Sequence, residues 1–231
     1  MTAEGLSAVA SVLANRTRAE FCNALMDGQA WSVSRLAREA GVALPTASEH
    51  VTALVAAGLC TEHRRGRSRY VELAGPRVAA CLEDLAALTE PRPAVLRSLK
   101  AVSRRDALAR GRTCYDHLAG RLGVAVSEAL RTRGVLDARL AVTPDGLEWI
   151  AEHLGGPVVA GRRPLSRSCL DWTERRPHLA GAAGAHLCSA FFAQHWIRRI
   201  GTSRAVRLTP DGEQALHALL GPIVTAAVTP T

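Results

Sequence analysis

Ser34-Arg35-Leu36-Ala37-Arg38-Glu39-Ala40-Gly41, followed after Val42 and Ala43 by Leu44-Pro45-Thr46-Ala47-Ser48-Glu49-His50-Val51-Thr52-Ala53-Leu54-Val55-Ala56-Ala57, decides the reading of this chain. The first segment is a short amphipathic helix that stops at Gly41, where the chain must turn sharply and glycine tolerates the positive φ such a turn can require. Pro45 suits the first turn of the second helix, because its missing N–H has no intrahelical partner to lose. Ala47, Val51, Leu54 and Val55 share one face at helical spacing, which leaves Thr46, Ser48, Glu49 and Thr52 pointing outward. Two short helices joined by a glycine turn, the second with small polar residues at its exposed start, form a helix-turn-helix pattern.

The flanks extend this pattern. Downstream, Gly58-Leu59-Cys60 leads into a strand, and Tyr70-Val71-Glu72-Leu73 alternates as a half-buried strand requires. Between the strands Arg64, Arg65, Arg67 and Arg69 fall within six residues around Gly66, as a basic hairpin wing. Upstream, Val9, Val12 and Leu13 mark one helical face. Asn15 is placed to cap a second helix over Thr17–Met26, which carries Ala19, Phe21, Cys22 and Leu25 and ends at Asp27-Gly28.

Residues 6–90 resemble the winged helix-turn-helix domain of the ArsR family of bacterial transcriptional repressors. The resemblance rests on four ordered blocks: Leu13-Ala14-Asn15-Arg16-Thr17-Arg18, Ser32-Val33-Ser34-Arg35-Leu36-Ala37, Ser48 through Leu59, and the wing Arg64-Arg65-Gly66-Arg67-Ser68-Arg69-Tyr70. It implies double-stranded DNA as partner, a homodimer built from the first helix and the helix after the wing (Pro76–Thr89), and effector-controlled release from an operator. Metal-sensing relatives carry thiolates where this chain has Trp31-Ser32-Val33-Ser34, or Asp and His ligands where it has Arg77-Val78-Ala79-Ala80-Cys81-Leu82-Glu83-Asp84. Neither ligand set is present.

Pro91-Arg92-Pro93 marks a boundary, so the expected organisation is a DNA-binding domain over 1–90, a connecting basic helix over 91–111, an effector and dimerisation domain over 112–221, and a frayed tail over 222–231. The connecting helix places Val95, Leu99 and Val102 on one side and Arg97, Lys100 and Arg104 on another. Beyond it the sequence is duplicated. His117-Leu118-Ala119-Gly120-Arg121-Leu122-Gly123 matches His178-Leu179-Ala180-Gly181-Ala182-Ala183-Gly184, and Thr143-Pro144-Asp145-Gly146 matches Thr209-Pro210-Asp211-Gly212. Each copy reads as helix, short strand, Thr-Pro-Asp-Gly entry and helix, with His-Leu-Ala-Gly on the first helix. The expected fold is mainly α with small β hairpins: a winged helix-turn-helix plus a C-terminal α/β domain of duplicated helix-strand-helix units. Trp196–Arg199 with Arg204–Leu208 reads as a degenerate wing, so a second winged-helix-like fold is an alternative for this part.

Composition supports a folded protein with a polyanionic partner. The 231 residues are 48% hydrophobic and carry 29 Lys plus Arg against 21 Asp plus Glu, a net charge of +8. Residues 1–90 hold 9 basic and 10 acidic side chains, so DNA contact there must come from local clustering at the wing. Six cysteines without a CxxC pair, and no export signal at the start, point to a reduced, cytoplasmic chain. Pro177–Ile197 is uncharged, but His178, His186, Gln194 and His195 make it a buried helix rather than a membrane span.

For DNA, Thr46, Ser48, Glu49, His50 and Thr52 are expected at the major groove, with a contact to the preceding helix as the alternative for His50. Arg64, Arg65, Arg67 and Arg69 are expected on phosphates and the adjacent minor groove. For an effector, Cys114, Tyr115, His117, Trp172, Phe191 and Trp196 are candidates, with core filling as the default role of the aromatics. On a helix Cys114 and His117 would share a face one turn apart. Together with Cys169 and His178 they could form a four-ligand zinc or haem-type site if the two units fold together, although buried, inert thiols are the stronger expectation. A redox-responsive Cys114 is a further alternative. An enzyme using Cys114, His117 and Asp116 has thin support, because no oxyanion hole accompanies the three. No cofactor is required, and catalysis is not expected.

Overall fold

The computed structural model describes residues 2–89 and 99–227, which divide into two compact units meeting in sequence between Leu82 and Glu83. The sequence reading placed the domain boundary at residue 90; the compact units divide eight residues earlier, inside one helix.

The first unit begins with α1 (Ala3–Leu13) and α2 (Arg16–Leu25), the latter capped by Asn15, whose side chain accepts from the Arg18 N–H. A two-residue strand β1 (Trp31–Ser32) precedes α3 (Val33–Ala40), and α4 (Leu44–Ala56) follows Gly41, which sits at φ +69°. β2 (Cys60–Arg65) and β3 (Ser68–Leu73) form an antiparallel hairpin, and β1 adds to its β3 edge through Trp31↔Val71 and Ser32↔Tyr70. Phe21, Leu25, Trp31, Leu36, Val51, Leu54 and Val71 pack into the core beneath α4. The Trp31 Nε1–H donates to the buried Asp27 carboxylate at 3.1 and 3.2 Å, so the indole dipole is satisfied where water is excluded. α5 (Pro76–Ala87) leaves the wing and runs across the unit boundary.

The second unit opens with α6 (Leu99–Arg110). Its buried residues are Ala101, Ala107 and Leu108, whereas Leu99 and Val102 are exposed, so the apolar face lies elsewhere than expected. Pro91-Arg92-Pro93, Val95 and Arg97 lie outside the described residues. Then β4 (Arg112–Cys114) and β5 (His117–Ala119) pair as a hairpin leading into α7 (Gly120–Thr132) and α8 (Pro144–His153). The second copy repeats this order with a full hairpin where the first has a single bridge, Leu136↔Val142: hairpin β6 (Arg167–Leu170) with β7 (Pro177–Ala180), helix α9 (Gly181–Ala193), then hairpin β8 (Ile197–Arg199) with β9 (Val206–Leu208), and α10 (Pro210–Leu220). Thr143 and Thr209 cap α8 and α10 by accepting from the N–H groups of Gly146 and Gly212.

The duplicated motif differs from its sequence reading in one respect: His-Leu-Ala is a strand, and the helix starts only at the glycine. Gly120 and Gly181 take φ +71° and +83°, and a Cβ would stand 2.8 Å from the Ala109 carbonyl oxygen or 2.9 Å from that of Pro164. That conformation turns strand into helix within one residue, which a bulkier residue does only with strain. A single core of Leu122, Leu130, Leu136, Ile150, Leu187, Phe191 and Leu216 gathers side chains from both copies. The expected frayed tail is partly ordered: α11 (Pro222–Ala226) buries Val224 in that core, and residues 228–231 lie outside the described residues.

Candidate nucleic-acid interface and buried Cys/His cluster

On α4, Ala47, Val51 and Leu54 are buried, which turns Glu49 and Thr52 to solvent and leaves Thr46 and Ser48 half-covered. His50 is also half-buried, its ring edge-on to Phe21 at 6.3 Å, so it fastens α4 to α2. The wing register pairs Arg64↔Arg69 and Arg65↔Ser68 around the two-residue turn Gly66-Arg67, with Gly66 at φ +59° as a primed turn needs. Arg64, Arg65 and Arg67 are exposed at the tip, and Arg65 reaches over the Tyr70 ring at 5.7 Å.

Arg69 is placed differently from the other three. It ion-pairs with Glu62 and donates to Ser48 Oγ at 3.0 Å and Thr52 Oγ1 at 3.2 Å. Its guanidinium thus ties the wing to the outward face of α4, a fixing role where the sequence suggested phosphate contact. Ser48 and Thr52 accept those bonds, and Thr52 Oγ1 also donates to the Ser48 carbonyl at 2.9 Å. Thr46, Glu49, Arg64, Arg65 and Arg67 therefore remain the groups with most freedom to meet a ligand. Basic side chains beside a helix of small polar residues suit a duplex: cations for phosphates, short side chains for close approach to base edges.

In the second unit, Cys114, His117, Cys169 and His178 bring one ligand atom each to within 4.8 Å of one another. They meet by strand register. Cys114 pairs with His117 directly across β4–β5, and Cys169 pairs with His178 directly across β6–β7, so each copy of the duplication contributes one Cys–His pair. His117 and His178 are about as buried as a side chain can be, 2% and 1% exposed. No hydrogen-bond partner is found for His117 Nε2 or for either ring nitrogen of His178. The adjacent Cys169 sulfur, together with burial, pushes the Cys114 thiol up, whereas the adjacent Cys114 thiol, ahead of the two imidazoles and against burial, pulls Cys169 well below the ordinary thiol range.

A charged network, which the sequence reading missed, lies beside the cluster. Arg112, fully buried, donates to Asp171 Oδ2 at 3.0 Å, to the Leu108 carbonyl at 3.2 Å and to Thr173 Oγ1 at 3.1 Å, and its Nε lies 3.6 Å from Glu83. Glu83 also accepts from Arg204 at 3.0 Å and from the Cys114 thiol at 2.7 Å. Burial alone would raise the Asp171 carboxyl, but Arg112, the Thr173 hydroxyl and the N–H groups of Gly120 and Glu174 hold it at about 2. A sequence signal was present: Arg112-Thr113-Cys114-Tyr115-Asp116 and Arg167-Ser168-Cys169-Leu170-Asp171 repeat one Arg-x-Cys-x-Asp pattern.

The aromatic effector candidates do not share one pocket. Tyr115 is exposed at the β4–β5 turn at φ +60°, Phe191 lies in the core with Trp196 tilted against it at 5.3 Å, and Trp172 lies beside the Arg112 guanidinium at 5.0 Å. Core filling accounts for Phe191 and Trp196. Among the described residues no helix is long and apolar enough to cross a membrane.

The first unit thus has the fold of a winged helix-turn-helix domain. The helix-turn-helix domain family matches residues 13–63. An uncharacterized HTH-type transcriptional regulator of Bacillus subtilis, YdfF, is 35% identical over 218 residues, covering 92% of this chain and 95% of that protein. Among solved structures, the homodimeric winged helix-turn-helix DNA-binding domain of Mb0332 from Mycobacterium bovis, a possible ArsR-family transcriptional regulator, is 26% identical with TM-score 0.35, over 39% of this chain and 88% of that one. NolR from Sinorhizobium fredii is 25% identical with TM-score 0.34, over 36% and 83%. The chain belongs to the HTH-type transcriptional regulators, and the match to YdfF runs through the second unit as well as the first.

Proposed function

We propose that the protein is a cytoplasmic repressor of the ArsR type that binds a palindromic operator as a homodimer and leaves it when an effector engages the second unit. The observation that carries the DNA-binding part is the wing: three exposed arginines beside an α4 whose outward face is fixed by Arg69. In this reading α4 enters the major groove, Glu49 accepts from a cytosine amine, Thr46 reaches a base edge or phosphate, and Arg64, Arg65 and Arg67 hold the backbone. Dimerisation is supported by α1, which buries none of its residues and exposes Leu6. Release requires an effector that favours the dimer geometry with the wrong half-site spacing. The Cys-dependent enzyme has less support, because the Cys114 thiol is buried away from any substrate.

The test is competition at fixed salt between duplexes selected from random sequence and bulk random DNA. The expected result is a preference of at least ~1000-fold for the selected sites, relaxed at one base pair by Glu49→Ala. Equal binding of both pools would leave a nonspecific architectural protein instead.

A further inference from the structure

We propose that Cys114, His117, Cys169 and His178 form a tetrahedral binding site for a borderline-soft divalent transition metal, with Zn2+ the natural occupant. Two sulfurs and two imidazoles are the donor set that such ions select over hard cations. The four donor atoms lie within 4.8 Å of one another; a zinc tetrahedron has edges of about 3.3–3.8 Å, so closure requires only an inward shift of about 1 Å. The imidazoles supply the independent sign of a ligand. His117 Nδ1 faces Asp116 Oδ1 at 3.4 Å and His178 Nδ1 faces Asp171 Oδ2 at 3.8 Å, while Nε2 of each, deeply buried, has no partner. At His117 a carboxylate behind Nδ1 with Nε2 left open is the arrangement that orients a metal-bound histidine, whereas Asp171 lies near His178 Nδ1 without a hydrogen bond. Three ring nitrogens in a water-excluded place without a hydrogen-bond partner carry a desolvation cost that a bound ion would relieve at the two Nε2 atoms.

Charge and protons balance. Coordination takes both sulfurs as thiolates, releases to solvent whatever proton a thiol still carries, and changes no oxidation state. The loaded centre, a dication with two thiolates and two neutral imidazoles, is neutral and so compatible with burial. Glu83 loses the Cys114 thiol as a donor but keeps Arg204 and Arg112 beside it. Because all four ligands come from the protein, no position is left open, which is the character of a structural or sensing site rather than a hydrolytic one. The site also accounts for the duplication: two hairpins, each with one cross-strand Cys–His pair, face each other around one ion.

The proposal is independent of the DNA-binding assignment, since metal is read by absorption and operator binding by anisotropy. The experiment titrates Co2+ into the full-length, reduced, chelator-stripped protein. The expected result is the intense visible absorption of tetrahedral thiolate-bound Co2+, saturating at one ion per chain and bleached by Zn2+. Cys169→Ser and His178→Asn should each abolish it while the far-ultraviolet circular dichroism is retained. Should either variant unfold, Asp116→Asn serves in its place: it touches no metal, and its Co2+ affinity should fall ~10-fold or more. Weak octahedral absorption only, or a wild-type spectrum in both ligand variants, would overturn the site. So would air formation of a Cys114–Cys169 disulfide in reduced protein that takes up no Co2+, which would make the pair a redox switch.

Discussion

The wing hairpin β2–β3 and the duplicated hairpins β4–β5 and β6–β7 use one backbone element for opposite purposes. In the wing the tip is in water, so three arginines stand there at little cost and remain available to a polyanion. In the second unit β4 and β5 are buried along their length, and the buried charges beside them have partners: Arg112 meets Asp171 and Glu83, and Glu83 meets Arg204. Burial, rather than strand geometry, separates a ligand-reading surface from an internal polar network. The contrast also explains where substitutions should hurt stability and where they should hurt only binding.

The largest effect is expected from Arg112→Leu, which leaves Glu83 and Asp171 buried with fewer counter-charges; loss of one partner of a buried pair costs about 3–5 kcal/mol, readable as a lower urea midpoint of the second unit. Arg64→Ala at the wing tip should shift the first unit by less than about 0.5 kcal/mol. Equal destabilisation by both would erase the distinction drawn between the two kinds of hairpin.

Next in size is an alkaline effect confined to the first unit's core. Burial pushes Cys22 to about 11 and Cys60 to about 12. Because the folded thiols hold their protons more tightly than the unfolded ones, stability is complete below the unfolded value and falls as pH rises from about 9 through 11–12. Urea midpoints at pH 8 and pH 10.5 should differ in that direction, and Cys22→Ala with Cys60→Ala should flatten the dependence. A midpoint that rises with pH would contradict these assignments.

A smaller difference separates two turn glycines. Gly120→Ala meets the Ala109 carbonyl and a positive φ, whereas Gly66→Ala at φ +59° meets nothing within 4 Å. The wing variant should lose only the left-handed backbone cost, about 1–2 kcal/mol, and Gly120→Ala should lose more, as thermal melts of the two variants would show.

The first unit was legible because its signals are local. Gly41 between two amphipathic segments, Pro45 at a helix start and Gly66 amid arginines each specify one backbone geometry, and the structure places all three accordingly. The second unit was legible as a duplication but not in its secondary structure. A separation of three residues puts Cys114 and His117 on one helix face, yet the same separation also makes them cross-strand partners over the turn Tyr115-Asp116. Only the tertiary fold distinguishes these, because Gly120 at positive φ ends the strand where the sequence reads as a continuing helix. Nor did Arg69 differ by type or spacing from the other wing arginines. The pleat does not separate it from Arg64, its direct cross-strand partner on the same sheet face; only the tertiary placement of α4 puts the Ser48 and Thr52 hydroxyls within its reach.

The most direct test of the central assignment is the salt dependence of operator binding by fluorescence anisotropy, compared between the natural chain and Arg64→Ala/Arg67→Ala. Two lost phosphate contacts should lower the slope of log K against log salt by about 2 units, with the preferred sequence unchanged. An unaltered slope would mean that the wing tip does not touch DNA, and the reading of the first unit as the operator-binding face would be wrong.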